Sequence, residues 1–166
     1  SQFIKTVEFG AGGGQGAGSK NTAVQESTQC VYNALIYSLK KEYIDVEDIT
    51  EYNLSSSYQY CHTSTPFEEI KEFAQIPLWQ QSFLTSSNLL YQYNQESNYE
   101  HHRDSSFINS IYDSASKNID FQLDKWNPAD IWLVKDNVLN QRFSSSLDEL
   151  NSQLEDMFDK KELIGI

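Results

Sequence analysis

The chain is poor in cysteine, proline and basic residues, and these shortages narrow the classes of protein to consider. Two cysteines in 166 residues are too few for a disulfide framework, which favours a reducing compartment. The apolar runs fall far short of the roughly 20 residues that a membrane-spanning helix needs. Twelve basic residues against 24 acidic ones give a formal charge of −12, which argues against a basic surface that coats nucleic acid.

Glycine is also scarce outside one short segment. Six of the seven glycines lie between Gly10 and Gly18, where no side chain can pack, so we expect a flexible linker there. Residues 3–9 before it are predicted to be a short strand or an arm that docks on a neighbour. Residues 1–21 are therefore assigned to an arm and linker, and residues 22–166 to one globular domain.

Hydrophobic residues make up 39% of the chain, which is enough to build a core. Their spacing predicts mostly helices. The predicted helices are 22–41, 66–76, Pro77–Tyr93, 107–118 and one that follows the three serines at 144–146. A polar loop or small irregular piece is predicted at 54–64, a polar loop at 94–105 and a turn at 136–140, while 42–49 has no clear state.

Two apolar runs, 131–134 and 163–166, are predicted to be strands buried on both faces, because neither alternates with polar residues. Pro128 suits the position just before the first run, since proline cannot donate to a sheet ladder. The predicted fold class is α/β, with α+β as the alternative, in which helices cover a small buried sheet. A domain rarely stops on an interior strand, so we expect the chain to be a fragment of something longer.

Asp130 is the sharpest candidate functional residue because it opens the first buried strand. A charge at such a place is costly unless something neutralises it. A divalent metal would do so, and so would a helix cap or an arginine, of which the chain has Arg103 and Arg142. The alternative is a turn acceptor after Pro128, a common role of aspartate. The metal interpretation needs further carboxylates nearby, because Mg²⁺ takes oxygen ligands.

Glu26 is the second candidate carboxylate, and it lies early in the first predicted helix. Its simplest role would be to complement the dipole at the helix N-terminus. On a helical wheel Glu26 lies away from the main apolar stripe, on the side that carries Cys30, Ala34 and Tyr37. Those three residues could pack against a second layer, so both orientations stay open.

The histidines are interpreted as residues of solvated loops. His101 and His102 are neighbours in sequence, and adjacent side chains rarely converge on one ion. His62, beside Cys61, has no second histidine or cysteine at the spacing of a closed zinc site. A solvated loop is therefore favoured over a metal site.

The glycine segment is likewise compared with a phosphate-binding loop. Gly13 and Gly18 have the right spacing, but Ser19 and Lys20 follow in the reversed order. The linker interpretation is therefore kept.

The pattern as a whole resembles the PD-(D/E)XK nuclease-like superfamily, in the form of its phage-encoded members. The resemblance is carried by Gln25-Glu26 in the first helix, Pro128-Ala129-Asp130 opening a buried strand, and a second strand after a helix. It implies a restriction-endonuclease-like core. In that family a helix Glu, a motif Asp and an acid two residues before a Lys surround Mg²⁺.

Carried over to this chain, the resemblance makes Asp130 the motif aspartate and Glu26 the helix acid, both catalytic and both Mg²⁺ ligands. The third element is not found within the 166 residues. Glu162 precedes the last strand, and Ile164 stands where the motif lysine would be. Lys125 and Lys135, which flank the Asp130 segment, are the candidate nucleic-acid-binding residues.

The resemblance implies a Mg²⁺-dependent deoxyribonuclease of viral origin, with DNA as its partner, in a host cytoplasm or a virion. The alternative is a non-catalytic structural or assembly protein of a virion with a decayed nuclease-like core. Its N-terminal arm would then add to the sheet or groove of a virion partner or of a second copy. A third interpretation, a tyrosine-rich surface that binds peptides, has only composition behind it. No membrane partner is expected.

Overall fold

The structure, a computed structural model, describes residues 19–96, 98–117 and 129–166. Its helices are α1 (Ser19–Leu39), α2 (Glu51–Tyr58), α3 (Phe67–Phe73), α4 (Pro77–Tyr93), α5 (Ser106–Ser116), α6 (Asp136–Leu139) and α7 (Leu147–Asp159). Its strands are β1 (Cys61–His62), β2 (Tyr99–His102), β3 (Trp132–Lys135) and β4 (Leu163–Gly165). The predicted helix-rich α/β fold is confirmed, whereas the restriction-endonuclease-like core stays a prediction. None of the described helices is both long and apolar enough to cross a membrane.

The four strands form one mixed sheet in the order β1-β2-β3-β4. β1 pairs with β2 in parallel, and the other two pairs are antiparallel. The register aligns His62 with His102, His102 with Trp132, and Trp132 with Gly165 in one row across the sheet. Residues far apart in the chain therefore meet at one end of this sheet.

Both faces of the sheet are covered, as the apolar runs predict. Leu133 and Ile164 belong to a core cluster with α1 and α4, whereas Trp132, Val134 and Leu163 belong to a second cluster with α5 and α7. Successive side chains of a strand point to opposite faces, so one strand supplies both clusters. Two layers of helices thus enclose the central strands.

Helix α1 is the central element of the first layer. It begins at Ser19, three residues before the predicted start, and residues 31–37 are buried all the way round. Tyr32 donates a hydrogen bond to the carbonyl of Ala74 at 2.7 Å, and Tyr37 donates one to the carbonyl of Asn94 at 2.6 Å. The helix therefore packs on the sheet with one side and on other helices with the rest, which settles the orientation that the wheel left open.

Two predicted loops are wrong. The segment 54–64 contains most of α2 and all of β1, and 94–105 contains β2. Both strands are very short and built from polar or aromatic residues, so their stability comes from pairing with distant strands and not from a local apolar pattern. The turn predicted at 136–140 is largely the one-turn helix α6, and 42–49 holds a 3-10 turn at Val46–Asp48.

Candidate functional site

Glu26 and Asp130, the two carboxylates singled out in the sequence, line the same cavity of about 320 Å³. Glu26 comes from α1, and Asp130 from the segment that leads into β3. Gln29, Phe83 and Ile166 complete much of the wall. The cavity therefore lies where the end of the sheet meets α1 and α4.

Backbone hydrogen bonds place Asp130 at this edge. The amide of Ile166 donates to the carbonyl of Ile131 at 2.8 Å, and the amide of Asp130 donates to the carbonyl of Ile166 at 3.3 Å. These bonds continue the pairing of β3 with β4 beyond the strand ends. Asp130 stands at the mouth of a buried strand, as its sequence position predicts.

The side chain of Asp130 is nevertheless exposed, although Ala129 and Ile131 on either side of it are buried. Asp130 lies at a bend just before β3, where its side chain turns outward. Water can therefore hydrate the carboxylate, and the expectation that it must be neutralised at a buried position is wrong. The charge of Asp130 needs no counter-ion to be tolerated.

Glu26 is the carboxylate that is taken out of water. Its side chain is only 18% exposed, and Oε2 accepts a hydrogen bond from Nε of Arg103 at 2.7 Å. Burial raises the pKa of Glu26, the hydrogen bond from Arg103 opposes this, and the nearby charges of Asp130 and Asp104 raise it further. The carboxylates of Asp130 and Asp104 and the guanidinium of Arg103 thus all act on the largely buried carboxyl group of Glu26.

Glu26 does not act as a partner of the helix dipole in this structure. α1 has no acidic residue in its first turn, and Glu26 lies seven residues beyond Ser19. The dipole interaction is confined to the first turn of a helix. The position of Glu26 instead directs its side chain to the chain segment that follows β2.

Arg103 is the residue that reaches Glu26 from that segment. Its amide donates to the carbonyl of His62 at 2.9 Å, which holds the backbone against β1. Its Nη1 lies 3.8 Å from Oδ2 of Asp104. The arginine that the sequence offered as a partner for Asp130 is thus paired with Glu26.

Of the two candidate nucleic-acid-binding lysines, the structure describes Lys135, which lies away from the cavity. Lys135 lies at the other end of β3, roughly 16 Å along the strand from Asp130 at 3.3 Å per residue. Its Nζ is 2.5 Å from Oε2 of Glu96 and lies over the ring of Tyr99. Lys125 lies outside the described residues.

A second cluster, which the sequence did not predict, joins His62, Glu100 and His102. Oε2 of Glu100 lies 2.9 Å from Nε2 of His62 and 3.2 Å from Nε2 of His102. One potential ligand atom from each of these three side chains lies within 4.8 Å of the other two, and within the described ranges this is the group of histidine, cysteine and acidic residues that meets this criterion. A possible metal-binding triad is therefore present, and it does not consist of Asp130 and Glu26.

The strand pairing explains why these three residues meet. His62 is directly opposite His102 in the parallel pair of β1 and β2, and their rings stack with centroids 4.3 Å apart. Glu100 is two residues before His102, so both point to the same face of β2. The Glu-x-His spacing was visible in the sequence, but it became a signal only once 99–102 was a strand.

The predicted solvated loop for the histidine pair is wrong, since both rings are buried. His102 faces the α5 side, where its ring meets that of Phe107. His101 faces α1, where its ring lies 5.7 Å from that of Tyr37, and its Nδ1 has no hydrogen-bond partner among the described residues. Burial lowers the pKa of each ring to about 3, and a neighbouring histidine adds to the shift.

Among the described residues, two polar clusters thus lie near one end of the sheet. Glu26 and Arg103 lie on the α1 side, and the triad of His62, Glu100 and His102 lies on the α5 side. Asp130 lines the cavity of Glu26, and the pKa of Tyr112 on α5 is raised by burial and further by the charge of Asp130. Comparisons of the chain with protein-family models, with curated proteins and with solved structures gave no match.

Proposed function

We propose that the cavity of Glu26 and Asp130 binds Mg²⁺ and hydrolyses phosphodiester bonds of DNA, as the resemblance to the PD-(D/E)XK nucleases implies. The observation that carries the proposal is the convergence of two carboxylates, 104 positions apart, on one cavity beside the β3–β4 pair. The interaction of Asp130 with Glu26 also contributes to the raised pKa of Glu26. A cation bound between them would relieve this repulsion.

The donor set suits the proposed ion. Mg²⁺ is commonly bound through one or two carboxylates, with water and substrate phosphate completing its octahedral shell. Bound there, it would supply an activated water and a charge that stabilises the phosphoryl oxygens. Asp130, which is exposed, would be the ligand reached first, and Glu26 the ligand that its surroundings keep in place.

Arg103 has a place in the same proposal as a positioning residue. Its Nε holds Glu26 and its Nη1 lies 3.8 Å from Oδ2 of Asp104, so a phosphate oxygen would bind the planar guanidinium in competition with Asp104. Because the chain has a formal charge of −12, DNA would be attracted only at this local site and through the metal. Binding to DNA should accordingly be weak without Mg²⁺.

Cleavage of plasmid DNA with and without Mg²⁺ tests the proposal. Asp130→Asn and Glu26→Gln should each lower the Mg²⁺-dependent rate by at least about 100-fold, since each removes a metal ligand. Asp113→Asn, at an exposed position of α5, is the matched control and should keep the full rate. Asp130→Asn should also leave the melting temperature unchanged or raise it, because it removes a charge that repels Glu26. Equal rates in wild type and Asp130→Asn would rule out the assigned role.

The second candidate is a non-catalytic structural or assembly protein of a virion. It is favoured by the pairing of Glu26 with Arg103, which already balances the half-buried charge without a metal. Deleting residues 1–18 should then weaken self-association or partner binding, measured by light scattering. An unaltered mass distribution would count against this alternative.

A further inference from the structure

We propose that His62, Glu100 and His102 form a binding site for Zn²⁺ or a similar divalent transition metal. This site lies on the opposite face of the sheet from the cavity of Glu26 and Asp130, and it does not depend on the nuclease proposal. The observation behind it is the convergence of two imidazole nitrogens and one carboxylate oxygen within 4.8 Å.

The chemistry of the donors selects the metal. Two imidazole nitrogens with a carboxylate oxygen suit Zn²⁺, whereas Mg²⁺ and Ca²⁺ take oxygen ligands. In a tetrahedral zinc site, two ligand atoms at about 2.0–2.2 Å from the ion are about 3.3–3.6 Å apart. The distances from Oε2 of Glu100 to the two Nε2 atoms, 2.9 and 3.2 Å, are somewhat shorter, so the ligand atoms have to move apart by a few tenths of an ångström to admit the ion.

One ligand has to turn to admit the ion. A metal lies in the plane of each imidazole that binds it, but the rings of His62 and His102 are stacked at an angle of only 14°. The side chain of His62 is 46% exposed on the edge strand β1, so it has open space on one side into which it can turn. His102 is 2% exposed, so the site combines one buried and one exposed histidine.

The second ring nitrogen of His102, Nδ1, makes a hydrogen bond that holds the ring in the orientation that metal binding requires. Its Nδ1 lies 2.7 Å from Oγ of Ser105, a hydroxyl that also accepts the amide of Ile108 at 3.3 Å as the N-cap of α5. When Nε2 binds a metal, the ring proton resides on Nδ1 and donates to this hydroxyl. A hydrogen bond of that kind fixes the tautomer and the ring orientation in metal sites.

The location indicates what the metal does. β1 has two residues and is held to β2 by a two-residue register, so a bond from His62 to a metal on β2 would clamp the edge strand. Three protein ligands leave a fourth position, and exposed His62 puts that position near solvent. The ion would therefore stabilise the fold and still take water or another small ligand.

Titration of the chelator-treated full chain with ZnCl₂, followed by calorimetry, tests the site. We expect one Zn²⁺ per chain and a higher melting temperature, and MgCl₂ at the same concentration should not displace the bound Zn²⁺. Co²⁺ in place of Zn²⁺ should give the strong visible absorption of a tetrahedral site. No binding of Zn²⁺ to the wild type would overturn the proposal.

Variants locate the ion. His62→Gln changes an exposed side chain and should fold, and it should weaken Zn²⁺ binding at least roughly 10-fold. Glu155→Gln, at an exposed position of α7, is the control and should bind like the wild type. Asp130→Asn should also bind Zn²⁺ normally, which separates this site from the proposed nuclease site. Equal affinity in wild type and His62→Gln would place the ion elsewhere and overturn the assignment.

Discussion

The side-chain amide of Asn88 pairs with both backbone groups of Ile44. Its Oδ1 accepts from the amide of Ile44 at 2.9 Å, and its Nδ2 donates to the carbonyl of Ile44 at 2.9 Å. Ile44 is fully buried in the segment between α1 and α2, where no helix or strand satisfies its backbone. α4 thereby holds a connecting segment that would otherwise bury two unpaired polar groups.

Asn88→Ala should cost about 2–4 kcal/mol, because a buried donor and a buried acceptor each lose their partner. The free energy of unfolding in urea would measure the loss, and the amide of Ile44 should exchange faster with solvent. Asn109→Ala, at an exposed position of α5, is the matched control and should change stability by less than about 0.5 kcal/mol. A stability loss no larger than that of the control would contradict the pairing.

Arg103→Gln should destabilise the protein by about 2 kcal/mol, a value between those of exposed and buried ion pairs. Without the guanidinium, Glu26 keeps its desolvation and its repulsion from Asp130, so its pKa should rise further. Arg142→Gln, at an exposed arginine, is the control and should have little effect. In a double-mutant cycle with Glu26→Gln, additive losses would show that the two side chains do not interact.

Gly165→Ala should destabilise β4 by about 1–3 kcal/mol, the usual cost of overpacking a core. A Cβ atom at this position would lie 2.8 Å from Cβ of Ala129 and 3.0 Å from the ring of Trp132. Ala129→Gly removes one of the two obstacles, so the double variant should recover part of the melting temperature lost by Gly165→Ala. An unchanged melting temperature of Gly165→Ala would mean that the close approach is absent.

Cys30 should resist thiol reagents in the folded protein. Burial raises the pKa of this thiol far above its ordinary value of 9.0, and the reactive species is the thiolate. In a Cys61→Ser background, modification at pH 8 should be slow and become fast in urea. Because the unfolded chain releases this proton near pH 9 and the folded one does not, Cys30 also makes stability fall as the pH rises above about 9. Rapid modification of the native protein would refute the burial.

Much of the helical framework was accessible from local pattern. α4 has the predicted bounds, Pro77–Tyr93, and the predicted helices near α1, α3, α5 and α7 are confirmed within a few residues. Proline at a first turn and apolar residues at helical spacing act over a few residues, so they can be read without knowing the fold. The two apolar strands were predictable for the same reason.

The strands β1 and β2 were not predictable in this way. The histidine cluster was therefore not predictable either, because it forms only when these two strands pair. Their residues carry no apolar alternation, and only the pairing of His62 with His102, 40 positions away, makes them strands. The exposure of the Asp130 side chain was not predictable either, because it depends on how the chain bends just before β3. The assignments of catalytic residues and of viral origin stay predictions.

By itself the sequence determined where most helices and both interior strands form, because those choices depend on the spacing of apolar residues along a short stretch of chain. The tertiary structure alone decided which polar side chains meet: Glu26 with Arg103, Asp130 at the same cavity, and Glu100 with two histidines. Such meetings depend on the register of distant strands and on how α1 crosses them. Neither is encoded in any local period of the chain.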